Sequence, residues 1–219
     1  MSQNPFIVIE ALDAGGSQTQ TNLLADQLKG KNYQVLQLHF PQEDRATGQL
    51  IYDKFLLPKN KQKFSRREQA LLYIQDFYSR AEDIEHVRAV KGRHVVLSDR
   101  FYGSTLAYQM LNLSGKQRAV MQRWLMGVIA DGTPALPKPD LVIFLDTPVD
   151  VSLARLKQKK KDFFETRQKL TDIRRSYLMV AKEQGWQIIN SVDRKGVQRT
   201  REDLHEEIWK AVGPVLSLT

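Results

Sequence analysis

At 219 residues, 42% hydrophobic and 26% charged, the chain has the balance of a soluble globular protein and enough apolar material for one compact domain over residues 1–219. The lack of cysteine excludes disulfides, thiol catalysis and thiolate zinc sites, and it suits a reducing, cytoplasmic setting. The net charge of +8 reads either as attraction to polyanions, such as a nucleotide or nucleic acid, or as a solvated basic surface. The basic residues are spread without the aromatic interleaving of nucleic-acid modules, and no apolar run has spanning length, so neither a nucleic acid nor a membrane is expected as a partner. Met1-Ser2-Gln3-Asn4-Pro5 leads straight into an apolar strand with no signal-peptide pattern, which predicts a soluble intracellular protein.

Phe6 to Ile9 reads as the first strand, Gln18 to Leu28 as an amphipathic helix and Tyr33 to Leu38 as the second strand. Ser65 to Val90 has helical spacing, with Ser65 as the cap and Glu68 at capping-box distance. His94 to Leu97 is the third strand, and Ser104 to Leu113 and Gln117 to Ala130 are helical. Pro137 and Pro139 bracket the turn into the fourth strand, Leu141 to Leu145. A helix from Val149, a basic segment and a helix through Glu183 precede the fifth strand, Trp186 to Ile189, and Thr200 to Val212 closes the chain as a helix. Strands alternating with helices predict a five-stranded parallel sheet wrapped on both faces. Ligands of such sheets bind beyond the carboxyl ends of the strands, so the residues following each strand are the candidates for chemistry.

The first strand ends in Glu10-Ala11-Leu12-Asp13-Ala14-Gly15-Gly16-Ser17-Gln18-Thr19-Gln20. A strand, a glycine loop and a helix form a phosphate cradle, in which backbone N–H groups and a helix N-terminus face an anion. Against the motif Gly-x-x-x-x-Gly-Lys-Ser/Thr, Ala11 stands at the first glycine, Gly16 at the second, Ser17 at the lysine and Gln18 at the hydroxyl position. By itself the stretch also reads as a Gly-Gly turn with Ser17 capping the helix.

Three further stretches decide between these readings. Ser98-Asp99-Arg100-Phe101-Tyr102-Gly103-Ser104-Thr105-Leu106-Ala107-Tyr108-Gln109 resembles the Asp-Arg-Tyr/His…Ser…Ala-Tyr-Gln segment of thymidylate kinases. Pro139 to Asp146, with Val149 and Ala154-Arg155 beyond, resembles that family's Pro-Asp-Leu…Leu-Asp…Arg stretch. Phe40-Pro41 and the Glu10…Asp13…Thr19-Gln20 pattern are similar to it too, in the right order over nearly the whole chain. The resemblance implies a P-loop NTPase-type three-layer sandwich, phosphoryl transfer from ATP to dTMP with Mg²⁺ in dTTP biosynthesis, and a homodimer through the helices at 65–90 and 103–130. It implies Asp13, Asp99 and Arg100 as catalytic residues, Arg100 bridging donor and acceptor phosphates. Ala14, Gly15, Gly16, Ser17, Gln18, Thr19 and Arg155 fall on the ATP side. Phe40, Arg45, Tyr73, Arg80, Ser104, Tyr108 and Gln109 fall on the acceptor side.

Besides Ala11 and Ala14, which stand where the family has glycine, the chain departs from it in four places. Ser17 replaces the loop lysine, and Phe163 stands where the lid, about 157–167, carries arginine. Phe77 stands where Leu-Leu-Phe/Tyr-x-Ala-Asx-Arg ends in arginine, with Arg80 one helical step on, and Arg45 is displaced from its usual offset. Lys159, Lys160, Lys161, Glu165 and Arg167 are either lid groups that supply the missing charge or a solvated helix face. Ser17 or Thr19 offers a hydroxyl to Mg²⁺. Three functions remain open from sequence: a dTMP kinase with altered donor-side catalysis, a catalytically impaired nucleotide-binding homologue, and a kinase for another nucleoside monophosphate or another phosphate donor.

Overall fold

The computed structural model describes residues 3–56, 63–132, 134–159 and 166–217. Its strands are β1 (Phe6–Ala11), β2 (Gln34–His39), β3 (His94–Asp99), β4 (Leu141–Asp146) and β5 (Gln187–Asn190). They form an all-parallel sheet in the order β2-β3-β1-β4-β5. The helices are α1 (Ser17–Gly30), α2 (Ala46–Ile51), α3 (Arg66–Tyr78), α4 (Ala81–Ala89), α5 (Tyr102–Gln109), α6 (Gly115–Ile129), α7 (Val149–Lys159), α8 (Arg167–Gln184) and α9 (Arg201–Leu216).

Strand periodicity explains the layering. Every residue of β1, the central strand, is buried. Ile7, Ile9 and Ala11 point to one face, where they pack with Leu24 and Leu28 of α1 and Ile208 and Val212 of α9. Phe6 and Val8 point to the other, into a core of Phe40, Phe77, Phe101, Leu106 and Leu125 under α3–α6. Phe101 lies at the centre of that second core, 5.2 Å from Phe6, 5.5 Å from Phe40 and 5.0 Å from Phe77 between ring centroids. The result is the three-layer sandwich expected.

Two differences from the sequence reading have physical causes. The helix expected from Ser65 to Val90 is two helices. Its start is as expected, with Ser65 and Glu68 closing a capping box. At the other end Ser79 Oγ donates to the Asp76 carbonyl (2.6 Å), and Arg80 leaves helical geometry. The apolar spacing runs on because Ile84 of α4 packs into the same phenylalanine core as Phe77 of α3. The second difference is α2 and the π-helical segment Tyr52–Leu56 that continues it. Local propensity does not announce them; tertiary contacts to Asp76 hold them, from Thr47 Oγ1 (2.6 Å) and the Gln42 N–H (2.9 Å). The approach is so close that a Cβ at Gly48 would meet the Gln42 carbonyl oxygen at 1.9 Å.

Candidate active site

The carboxyl ends of β1, β3 and β4 open onto a cavity of about 810 Å³, lined by the β1–α1 loop, Asp99, Arg100, Arg155 and the start of α9. The loop is shaped by two left-handed residues, Ala14 (φ 56°) and Gly16 (φ 106°). A Cβ at Gly15 would meet the Ala11 Cβ and the Leu12 oxygen, each at 2.8 Å. Glycine is therefore required at 15, because a side chain there would meet both the Leu12 backbone and the methyl group of Ala11, which stands at the motif's first glycine. Thr147 Oγ1 (2.9 Å) and Arg155 Nη1 (3.3 Å) both donate to the Gly15 carbonyl, and Arg155 also reaches the Ala14 carbonyl (3.1 Å). These bonds satisfy the Ala14 and Gly15 carbonyl oxygens of the loop. Gly16 caps α1 without a side-chain bond, and the first turn of the helix carries no acid. Ser17 is thus the first helical residue and not the cap. The amides of that turn face the cavity as an anion-binding terminus.

At the end of β3, Arg100 has φ 68°, fixed by its N–H on the Ile9 carbonyl (2.9 Å) and by Ser98 Oγ on its own carbonyl (2.5 Å). This turns its guanidinium across the sheet edge onto Asp13 (Nη2 to Oδ1, 2.7 Å), while Tyr108 donates to the other Asp13 oxygen at 3.4 Å. Burial opposes the Arg100 charge, but Asp13 first, then Tyr177, Tyr108 and Asp99, hold the guanidinium well above its ordinary range. Asp99 pairs one carboxylate oxygen with His39 Nδ1 (3.0 Å), its register neighbour on β2. The other, Oδ1, is buried without a hydrogen-bond partner among the described residues.

Beside this pair lies an aromatic flank. Burial pushes the Tyr73 hydroxyl up to about 12, with Arg100 opposing and Asp13 adding. Burial and Glu43 do the same for Tyr52, again with Arg100 opposing. Phe55 stacks on Tyr73 at 6.2 Å with ring planes 16° apart. Asp13, Arg100, Tyr73 and Tyr108 are thus brought together as the sequence suggested. Tyr52 and Phe55 were missed because their π-helical segment has no sequence signal.

The other acceptor-side candidates are placed differently. Phe40 is 2% exposed and lies in the phenylalanine core, edge-on to Phe77. Phe77, at the family arginine position, is itself in the core. The Ser104 hydroxyl is taken up by Glu10 (2.6 Å) and Tyr177 (2.7 Å), and Gln109 is buried. Arg80 holds Gln42, Asp44 and Asp83 at 3.0, 2.6 and 3.1 Å, and Arg45 is exposed, 3.5 Å from Asp83. Among the lid residues, Lys159 ends α7 and Arg167 pairs with Asp150. Lys160, Lys161 and Glu165 lie outside the described residues.

A parallel sheet in this order, a glycine loop running into a helix with no side-chain cap bond and an Asp–Arg pair at the strand ends define a nucleotide-binding domain of the P-loop kinase type. The sequence profile described as thymidylate kinase matches residues 9–208, and the chain belongs to that family. It is 32% identical over 214 residues to a probable thymidylate kinase of Thermococcus onnurineus, covering 93% of this chain and 94% of the relative. It is 30% identical over 216 residues to a thymidylate kinase of Fervidobacterium nodosum, covering 96% of this chain and 100% of the relative. The solved structure of thymidylate kinase from Candida albicans shares the fold, with a TM-score of 0.73 at 20% identity over 98% of this chain and 93% of the other.

Proposed function

We propose that the protein is a nucleoside monophosphate kinase that transfers the γ-phosphoryl group of ATP to dTMP, giving dTDP, with a donor side altered from the family pattern. The observation that carries this reading is the Asp13–Arg100 pair at 2.7 Å, set between the loop cavity and the Tyr73–Tyr108 flank. In this reading a dTMP phosphate oxygen attacks the γ-phosphorus as the bond to ADP breaks. Charge spreads over the transferring oxygens, and the protein's work is positioning and neutralisation. Arg100 presents a planar fork to both phosphates; Asp13 orients it and sits against the acceptor. Tyr73 stacks on the base, and Tyr108 packs on the sugar where a 2′-hydroxyl would lie.

The oxygens present suit Mg²⁺. The unpartnered Asp99 Oδ1 and a hydroxyl of Ser17 or Thr19 line one cavity. A cation that keeps its waters and binds substrate phosphates needs only one or two such ligands. When bound, the ion supplies charge neutralisation at the donor phosphates. No group of three or more His, Cys, Asp or Glu among the described residues could hold a metal alone.

We further infer one domain over 1–219 with its lid at about 157–167, and a cytoplasmic setting; no described helix is long and apolar enough to cross a membrane. We also infer a homodimer through α3–α6, where Leu71 and Val120 remain 48% and 49% exposed. Light scattering reads the dimer directly.

The test is a coupled ADP-release assay over a panel of nucleoside monophosphates, paired with calorimetry for ATP and dTMP separately. dTMP should be phosphorylated, and bound more tightly than dCMP, dGMP or dAMP. Equal or absent binding across the panel overturns the acceptor assignment. One observation favours a second reading, an impaired nucleotide-binding homologue: the lysine position holds a serine that is only 6% exposed. Tight dTMP and ATP binding without ADP release would establish it.

A further inference from the structure

The loop lacks the cation its motif carries, but positive charge reaches the same cavity from the other side of α1. Gln20 Nε2 donates to the Arg201 carbonyl (3.0 Å), which pins the first turn of α9 to the first turn of α1, one helical turn from Ser17. Arg201 and Arg155 line the cavity together with Gly16, Ser17 and Gln18.

The other charges around the cavity have partners. Arg155 is bound to the loop carbonyls, and Arg100 is bound to Asp13. Arg199 is held by Glu207 (2.5 Å) and by the carbonyls of Asn190 and Asp203. Asp150 is paired with Arg167, and Asp99 with His39. The Arg201 guanidinium is exposed and makes no hydrogen bond or ion pair with any described residue. Burial and then the charge of Arg201 hold the Arg155 guanidinium below its ordinary range, so the two cations feel each other across the loop. An anion between them turns that repulsion into attraction on both sides.

We propose that Arg201, at the start of α9, contacts the donor's polyphosphate and supplies the positive charge that Ser17 cannot, so that the donor is clamped between α7 and α9. This rests on the reading of the cavity as the ATP site. Lysine at the motif position is a point charge on α1 itself. Here the charge comes from the neighbouring helix, and the Gln20–Arg201 bond fixes its distance from the loop.

Calorimetry of ATP, ADP and AMP with the wild type, Arg201→Gln, Arg201→Lys and Arg123→Gln tests it. Arg123, on the exposed face of α6, controls for the change in net charge. Arg201→Gln should weaken ATP and ADP by about 10- to 100-fold, the cost of a lost charge-assisted phosphate contact. AMP should weaken far less, Arg201→Lys should lose less than Arg201→Gln, and Arg123→Gln should match the wild type. Equal ATP affinity in wild type and Arg201→Gln overturns the role of Arg201 alone. So does an AMP loss as large as the ATP loss, which would place Arg201 on the nucleoside, or an equal loss in Arg201→Lys. No ATP binding by the wild type overturns the donor reading itself, and this assignment with it.

Discussion

Arg100 holds a left-handed backbone at φ 68°, a conformation that costs a residue bearing a Cβ about 1–2 kcal/mol. Its neighbours over-determine it: the Ile9 carbonyl, the Ser98 hydroxyl and Asp13 each fix a different part of the residue. The gain is that the guanidinium crosses the sheet edge to β1 without leaving the protein's low-dielectric surface. Arg100→Ala is expected to abolish ADP release and to weaken dTMP by about 1.5–3 kcal/mol in calorimetry, the range for a hydrogen bond to a charged group. Retained activity in a folded variant would place the chemistry elsewhere. Residues such as Asp13, Arg100 and Tyr108 were legible in sequence because each follows a strand or sits on the helix after one. Ser104 was named with them, but the bond that occupies its hydroxyl was not legible, because it answers to Glu10, 94 residues away in sequence. Nor was the burial of Phe40, since nothing local shows that Phe77 and Phe101 will close around it.

At the scale of elements, the sequence carried the strands well and the connections less well. The apolar runs set the sheet, but the break after Tyr78 depends on Ser79, Arg80 and their partners, and the segment at 46–56 depends on Asp76. The phosphate loop is the element where function and local rule disagree. Ala14 occupies a left-handed position that glycine fills without penalty, and Ala11 crowds Gly15. Ser17→Lys with Gln18→Thr restores the charge and hydroxyl of the motif. If Arg201 already serves the donor, the double variant should gain little in turnover, whereas in an impaired kinase turnover or ATP affinity should rise. Ala14→Gly and Ala11→Gly belong in the same series. The first relieves the backbone by about 1 kcal/mol, and the second removes the methyl that faces Gly15. Steady-state ADP release across the set separates the cases; no transfer from the restored loop, with dTMP still bound, rejects the active kinase.

For the molecule as a whole, the group that ties the two halves of the site together is Glu10. It is fully buried in β1, and its carboxylate accepts the N–H groups of Phe101 (3.0 Å) and Ser104 (3.1 Å) at the start of α5 and the hydroxyl of Ser104. Gly103 permits this, since a Cβ there would meet Glu10 Oε1 at 2.6 Å and Trp186 at 2.5 Å. Burial raises the carboxyl from 4.5 to about 7, although Ser104, Arg100 and the two N–H groups all pull it down. In the unfolded chain the same group titrates near 4.5, so between there and about 7 the folded protein holds the extra proton. Its contribution to stability is therefore greatest below 4.5, falls as pH rises through the window, and is flat above it; the total is a few kcal/mol, at about 1.4 kcal/mol per pH unit. His205, lowered by burial, acts in the opposite sense near its own titration. The informative quantity is thus the difference between wild type and Glu10→Gln, which keeps an acceptor for the two N–H groups but cannot ionise. Denaturant midpoints at pH 5, 6, 7 and 8 should show the wild type losing ground to Glu10→Gln with each step and levelling off above 7. A constant difference across that range would mean that Glu10 is ionised throughout, and that the junction of β1 and α5 is held by a fixed charge in place of a shared proton.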